Sequence, residues 1–261
     1  MDLSTYTGKH LELSIVLLLS LAVVNYCSAS KILIIPLPYS SHVIQQVYIA
    51  ELLISHDHRV DMALPSTFHG PGKIQSKGIN VHFYAGKHPD LFSDPSMAKG
   101  FWENLESIMN IPPWIGFRGM VPLFTPFCHN ALGDQKFYET LKKENYDLVI
   151  ADALPMSRFN LVLPYRLGVP YVAFEGGYEP HLTRLPALPS FVTNSILTAT
   201  TPNMTFWERL RSTVEMFIWI NFGGVDELTS SSLVQKYAPE KPAISVDEIA
   251  MKSVLWIIDQ D

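Results

Sequence analysis

The sequence predicts an α/β fold built on an open, doubly wound parallel sheet. Two observations lead there. Short, continuous apolar runs recur along the chain, the signature of strands buried on both faces. Stretches of helical periodicity separate them, so that strand and helix alternate. Crossovers between parallel strands are right-handed, which leaves few topologies to consider.

The elements follow in order. Residues 31–36 (KILIIP) read as the first strand, Pro38 to His42 as a turn, and residues 41–55 as a helix with Ile44, Val47, Tyr48 and Leu52 on its apolar stripe. Residues 59–64 (RVDMAL) and 79–84 (INVHFY) read as the second and third strands, and residues 96–109 as helical. Residues 111–127 hold Pro112, Pro113, Pro122 and Pro126 among aromatics, which predicts a loop or broken helix with a greasy face. A helical pattern resumes through Lys142. Residues 146–151 (YDLVIA) form the fourth strand, ended by Asp152; residues 156–167 form a helix and 169–174 (VPYVAF) the fifth strand. After Gly176-Gly177 the pattern changes to a Pro-, Ser- and Thr-rich stretch over 180–202. Residues 204–220 then predict a helix burying Phe206, Leu210, Val214 and Phe217, although Trp207, Trp219 and Phe222 would also suit a bilayer interface. A short helix at 246–251 precedes a last strand over 253–259.

Composition narrows the function. The 261 residues are 48% hydrophobic, enough for a sizeable core, and only 17% charged. A net charge of −6 without a Lys/Arg run argues against nucleic acid as a partner. Two cysteines, Cys27 and Cys128, exclude a disulfide scaffold. Lys9 and His10 precede an apolar run over 13–24, followed by Ser28-Ala29-Ser30. That order predicts a signal peptide over residues 1–30, cleaved after Ser30, the alternative being an uncleaved anchor, and hence the lumen or membrane of the endoplasmic reticulum, or secretion if the chain is naturally short. Asn203-Met204-Thr205 is the one N-glycosylation acceptor triplet.

Ligands of doubly wound sheets bind at the carboxyl ends of the strands. Two ionisable residues fall there, His42 after the first strand and Asp152 after the fourth. A histidine titrating near neutrality is the usual general base, and a carboxylate on its second nitrogen fixes the tautomer. Such a pair needs no metal. The alternative is a polar helix start and a strand-capping acid. No G-x-G-x-x-G follows the first strand, so a dinucleotide cofactor is not indicated, and there is no P-loop, G-x-S-x-G or C-x-x-C. His56-Asp57-His58 is a poor metal site, because adjacent turn residues rarely converge on one ion. Cys128-His129 reads as a buried, inert thiol beside a histidine, and Asp259-Gln260-Asp261 as a terminal D-x-D without context.

Several segments together resemble a family. Ser41-His42 follows the first strand, and His58-Arg59-Val60 resembles an H-x-V opening the second. Residues 146–152 end in Asp152, Leu188-Pro189-Ser190-Phe191-Val192 resembles a P-S-Y-V element, and residues 203–209 (NMTFWER) resemble an M-T-F-x-x-R helix start. In this order the chain, over residues 31–261, resembles the N-terminal half of a UDP-glycosyltransferase of the animal UDP-glucuronosyltransferase type. The resemblance implies the Rossmann-like, acceptor-binding domain of a GT-B fold, with the UDP-sugar domain and membrane anchor absent. It implies His42 as the base, Asp152 as its partner, inversion at the sugar, a small lipophilic acceptor, and UDP-sugar as co-substrate with no cofactor or metal. Where the family often has Pro-Cys after the strand-four acid, Pro155-Met156 stands. Acceptor-contacting residues are not fixed by sequence; they would lie in loops such as 85–127. The rival expectation is a naturally short, non-catalytic lumenal chain that binds acceptors or pairs with full-length relatives. Membrane-surface contact and homo- or hetero-oligomers remain open at this level.

Overall fold

A computed structural model describes residues 29–68, 71–86, 113–175, 179–184, 203–222 and 226–258, with single positions between them. The chain order is β1 (Lys31–Ile35), α1 (Ser40–Ser55), β2 (Arg59–Pro65), α2 (Pro71–Gln75), β3 (Asn80–Tyr84), α3 (Pro113–Gly133), α4 (Gln135–Glu144), β4 (Leu148–Asp152), a 3-10 turn (Arg158–Leu161), α5 (Val162–Leu167), β5 (Tyr171–Glu175), α6 (Pro180–Thr183), α7 (Phe206–Phe222), α8 (Asp226–Thr229), α9 (Ser231–Tyr237), α10 (Val246–Ala250) and β6 (Leu255–Ile258). The expected signal peptide lies almost wholly outside the described residues, as do most of the helix expected at 96–109 and the terminal D-x-D.

The six strands form one parallel sheet in the order β3-β2-β1-β4-β5-β6. This is the Rossmann-like arrangement expected from the sequence. The order reverses between β1 and β4, which pair from Ile32 with Leu148 to Ile35 with Ala151. Strand alternation divides the core in two. Ile32, Ile34, Val60, Met62, Ile150 and Val172 pack with Val43, Val47 and Ala50 of α1 on one face. Leu33, Ile35, Val149 and Ala173 pack on the other against α3, α4, the 3-10 turn and α8 to α10. Leu33 and Ile34 are fully buried, each worth roughly 1.5–3 kcal/mol of apolar transfer.

Three expectations are corrected. Residues 113–133 are a continuous helix despite Pro122 and Pro126 inside it. Each proline removes one N–H from the ladder, and the Thr125 hydroxyl donates to the Val121 carbonyl at 2.8 Å within the same turn. On α1, the buried face is Val43, Gln46, Val47 and Ala50, whereas Ile44, Tyr48 and Leu52 are exposed. Small side chains let the helix lie close on the sheet, and that selects the Val43–Val47–Ala50 stripe. On α7, Phe206, Leu210, Val214 and Phe217 face outward, while Ser212, Glu215, Met216 and Trp219 are buried. Polar contacts flank the helix: Arg211 Nε donates to Glu215 Oε1 at 2.7 Å, and Arg209 donates to the carbonyls of Met204 and Ser190.

The helix ends are closed as the sequence directs. Asp134 caps α4, accepting from Phe137 N, and Lys142 and Lys143 lie in its last turn. Ser245 and Glu248 form a reciprocal capping box on α10. The NMTFWER segment has the same logic, since Glu208 Oε2 accepts from Thr205 N at 2.6 Å and Glu208 N donates back to Thr205 Oγ1 at 3.4 Å.

A candidate acid–base site at the sheet's switch point

His42 lies in the first turn of α1 and Asp152 is the last residue of β4. Their strands are neighbours at the point where the order reverses, so both side chains reach the carboxyl edge of the sheet. His42 Nδ1 lies 2.7 Å from Asp152 Oδ2. The ring is 18% exposed, while the carboxylate is 1% exposed. An ionised carboxylate only accepts, so Nδ1 carries a proton and the lone pair of the neutral ring is on Nε2. Burial disfavours a charged ring here, but the hydrogen bond that His42 donates to Asp152 and the negative charge of Asp152 outweigh it and raise the His42 pKa above the ordinary imidazole value. Tyr39 stands edge-on to His42 at 6.4 Å and to Phe124 of α3 at 5.6 Å, giving the ring an aromatic wall.

Three groups missed by sequence reasoning hold Asp152. Gln46 Nε2 donates to Oδ2 at 3.4 Å, Leu154 N donates to Oδ1 at 3.4 Å, and the Ser157 hydroxyl also donates to Oδ1. Gln46 had a signal, because it follows His42 by one helical turn and shares its face. The next residue, Arg158, turns to the opposite side of the sheet. Its guanidinium donates to Asp247 Oδ1 at 2.8 Å and to Glu179, and lies 3.9 Å from Glu175 Oε1. Both Glu175 oxygens are buried without a hydrogen-bond partner. Burial and the nearby Glu179 carboxylate push the Glu175 pKa well above the carboxylate range, against the pull of Arg158.

A second aspartate–histidine pair lies nearer the amino ends of the strands. Asp61 Oδ2 accepts from Tyr146 Oη at 2.8 Å and lies 3.1 Å from His82 Nε2. Asn80 Nδ2 is 3.2 Å from the same His82 nitrogen, and Arg59 Nε is 3.5 Å from Asp61 Oδ1. Burial alone would raise the Asp61 pKa. The bonds from His82 and Tyr146 and the Arg59 charge prevail and lower it.

A cavity of about 370 Å³ opens beside β3 and α4, lined in part by Ser66, His82, Asp134 and Lys136. It contains neither His42 nor Asp152. Its polar walls serve the fold: Asp134 accepts from Phe137 N and Ala85 N, and Ser66 Oγ accepts from Gly86 N.

The other sequence candidates separate. His56 Nδ1 lies 2.9 Å from the Leu52 carbonyl, whereas His58 Nδ1 accepts from Ser30 N, so the two diverge. Cys128 is fully buried, and burial pushes its thiol pKa far up. Asn203 is exposed just before α7. Among the described residues no three His, Cys, Asp or Glu side chains gather as a metal site, and no helix is long and apolar enough to cross a membrane.

Across 97% of its length the chain is 23% identical to UDP-glucuronosyltransferase 3A1 of Homo sapiens, covering 48% of that protein. Across 91% it is 27% identical to 2-hydroxyacylsphingosine 1-beta-galactosyltransferase of Mus musculus, covering 43% of it. The chain thus spans about half the length of the curated relatives it matches. Among solved structures, the calicheamicin glycosyltransferase CalG4 matches with a TM-score of 0.47 and 15% identity, over 88% of this chain and 47% of that one. The family model described as UDP-glucoronosyl and UDP-glucosyl transferase matches residues 30–261, and the chain belongs to that family.

Proposed function

We propose that this chain supplies the acceptor-binding and base-bearing part of a UDP-sugar-dependent glycosyltransferase acting on a hydroxyl of a small lipophilic molecule. The observation that carries the reading is the 2.7 Å contact between His42 Nδ1 and Asp152 Oδ2 at the switch point of the sheet. His42 Nε2 takes the acceptor hydroxyl proton as the oxygen attacks the anomeric carbon. Asp152 stabilises the imidazolium that forms, and UDP departs from the opposite face of the sugar. One displacement at that carbon inverts it. Tyr39, edge-on to His42, gives the ring an apolar neighbour, in keeping with a lipophilic acceptor. Both relatives' names describe transfer of a sugar, glucuronosyl in one and galactosyl in the other, so the donor sugar is left open. The endoplasmic reticulum lumen is the compartment that the N-terminal segment and Asn203 suggest.

The test uses a full-length form carrying a UDP-sugar-binding domain. His42→Ala is expected to lower transfer at least ~10²-fold. Transfer at the wild-type rate would overturn the assignment of the base.

The outward apolar face of α7, with Phe206, Trp207 and Phe217 exposed, is the observation that favours contact with a membrane surface. In a liposome flotation assay the chain is expected to float, and replacing Phe206 and Trp207 with Ser should leave it at the bottom. A wild-type chain that stays at the bottom would refute the contact.

A further inference from the structure

We infer that Ser157 is a positioning residue, fixing the orientation of the Asp152 carboxylate and through it the tautomer of His42. The inference rests on the reading of His42 as the base.

A carboxylate on a single methylene turns easily about its last bond, because that torsion has a broad and roughly two-fold profile. One hydrogen bond on one oxygen does not stop the rotation. Asp152 is held on both. His42 Nδ1 and Gln46 Nε2 approach Oδ2, while the Ser157 hydroxyl and Leu154 N approach Oδ1. The Leu154 contact is 3.4 Å, so Ser157 is the principal tie on that oxygen. Its hydroxyl has one proton and a second acceptor within reach, the Leu154 carbonyl at 3.3 Å. The carboxylate is nearer and charged, and charge-assisted bonds are the stronger. Both Ser157 and Asp152 are wholly buried, so water cannot replace either partner.

Ser157 is itself held from outside the site. Its N–H and that of Arg158 both donate to the Leu154 carbonyl at 2.8 Å. Arg158 is then clamped by Glu179 and by Asp247 of α10, on the opposite side of the sheet. The serine is thereby locked by an ion cluster that never touches His42. With Oδ2 turned permanently toward Nδ1, the neutral ring keeps its proton there and presents Nε2 as the basic nitrogen. Without the tie on Oδ1, the carboxylate swings, and both tautomers become populated.

The test reads the ring directly. The chain is labelled with ¹⁵N-histidine, and the His42 nitrogens are followed across a pH titration by NMR. Wild type is expected to show a single Nδ1–H tautomer. Ser157→Ala should lose that single tautomer and lower the His42 pKa toward that of free imidazole, and Ser157→Thr should restore both. If Ser157→Ala collapses the dispersion of the amide spectrum, Ser157→Cys, of similar volume but a poor donor, gives the same two readouts. A tautomer and titration in the Ala or Cys variant that match wild type would overturn the proposal. No turnover enters this measurement, so it stands or falls separately from the activity of His42→Ala.

Discussion

Two aspartate–histidine pairs lie on one sheet, and they differ in what each leaves free. At the carboxyl edge, Asp152 binds His42 through Nδ1 and leaves Nε2 on a partly exposed ring. Nearer the amino ends, Asp61 meets His82 through Nε2, and Asn80 crowds the same nitrogen. Asp61 is also bonded by Tyr146 and paired with Arg59, so one of its oxygens serves two side chains within the fold. Asp152 spends its spare capacity on holding itself still. A hydrogen-bonded Asp–His contact is thus common to both. What differs is which nitrogen is left over, and whether it lies at the edge where ligands of this fold bind.

The sharpest way to break the comparison is to remove each acid. Asp61→Ala leaves the Tyr146 hydroxyl and His82 without their shared acceptor, and should destabilise the chain by about 3 kcal/mol in urea unfolding. Asp152→Ala should cost somewhat less, about 2 kcal/mol, because the partly exposed His42 can turn to water and the Ser157 hydroxyl can turn to the Leu154 carbonyl 3.3 Å away. Transfer by the full-length form should rank the other way, falling at least ~10²-fold for Asp152→Ala and staying near wild type per folded molecule for Asp61→Ala. Equal losses of transfer in both variants would erase the distinction.

Smaller effects come from pH, and the two pairs should differ in sign. The Asp61 pKa is depressed in the folded chain. Its contribution is present above the unfolded value of about 4 and is lost as pH falls through the folded value. The His42 pKa is raised. Its contribution is present below about 6.5 and is lost as pH rises through the folded value. Melting temperatures recorded across pH should therefore lose their acid-side slope in Asp61→Asn and their neutral-side slope in His42→Gln. One variant flattening both limbs would show that the pairs are not independent.

The smallest effect is expected at Gln46, whose bond to Asp152 is long at 3.4 Å. Gln46→Ala should reduce stability by no more than about 1 kcal/mol and transfer by only a few fold. A loss as large as that of Asp152→Ala would make Gln46, rather than Ser157, the main tie.

Much of this was legible in the sequence for identifiable reasons. The six strands stand out because a doubly covered parallel sheet needs continuous apolar runs, and the dyad stands out because its residues punctuate two of them. On α1 the largest apolar stripe is not the buried one, because Val43, Val47 and Ala50 allow closer approach to the sheet than Ile44, Tyr48 and Leu52; on α7 the buried face mixes Ser212 and Glu215 with Met216 and Trp219, a pattern that apolar periodicity alone does not single out. The α3 prolines read locally as breakers, although packing of Val121, Phe124 and Phe127 into the core sustains the helix around them. Asp61 left a trace, a lone acid in the run RVDMAL, but its partner Tyr146 is 85 residues away and no local pattern joins them. The same holds for Arg158 and Asp247, 89 residues apart.

The pairing of β1 with β4 also has a consequence in time. His42 and Asp152 are 110 residues apart, so at ribosomal rates the histidine is made roughly 6–20 s before the aspartate. In that interval β1, α1, β2 and β3 can assemble through nearby contacts, while the far side of β1 waits for β4. Closing so long a span is slow compared with forming hairpins or helices. The aspartate and the serine that orients it arrive together, five residues apart. Closure of the pair is therefore a late event, completed only when Glu179 and Asp247 arrive to clamp Arg158, and a nascent chain halted anywhere before β4 carries a histidine without its partner.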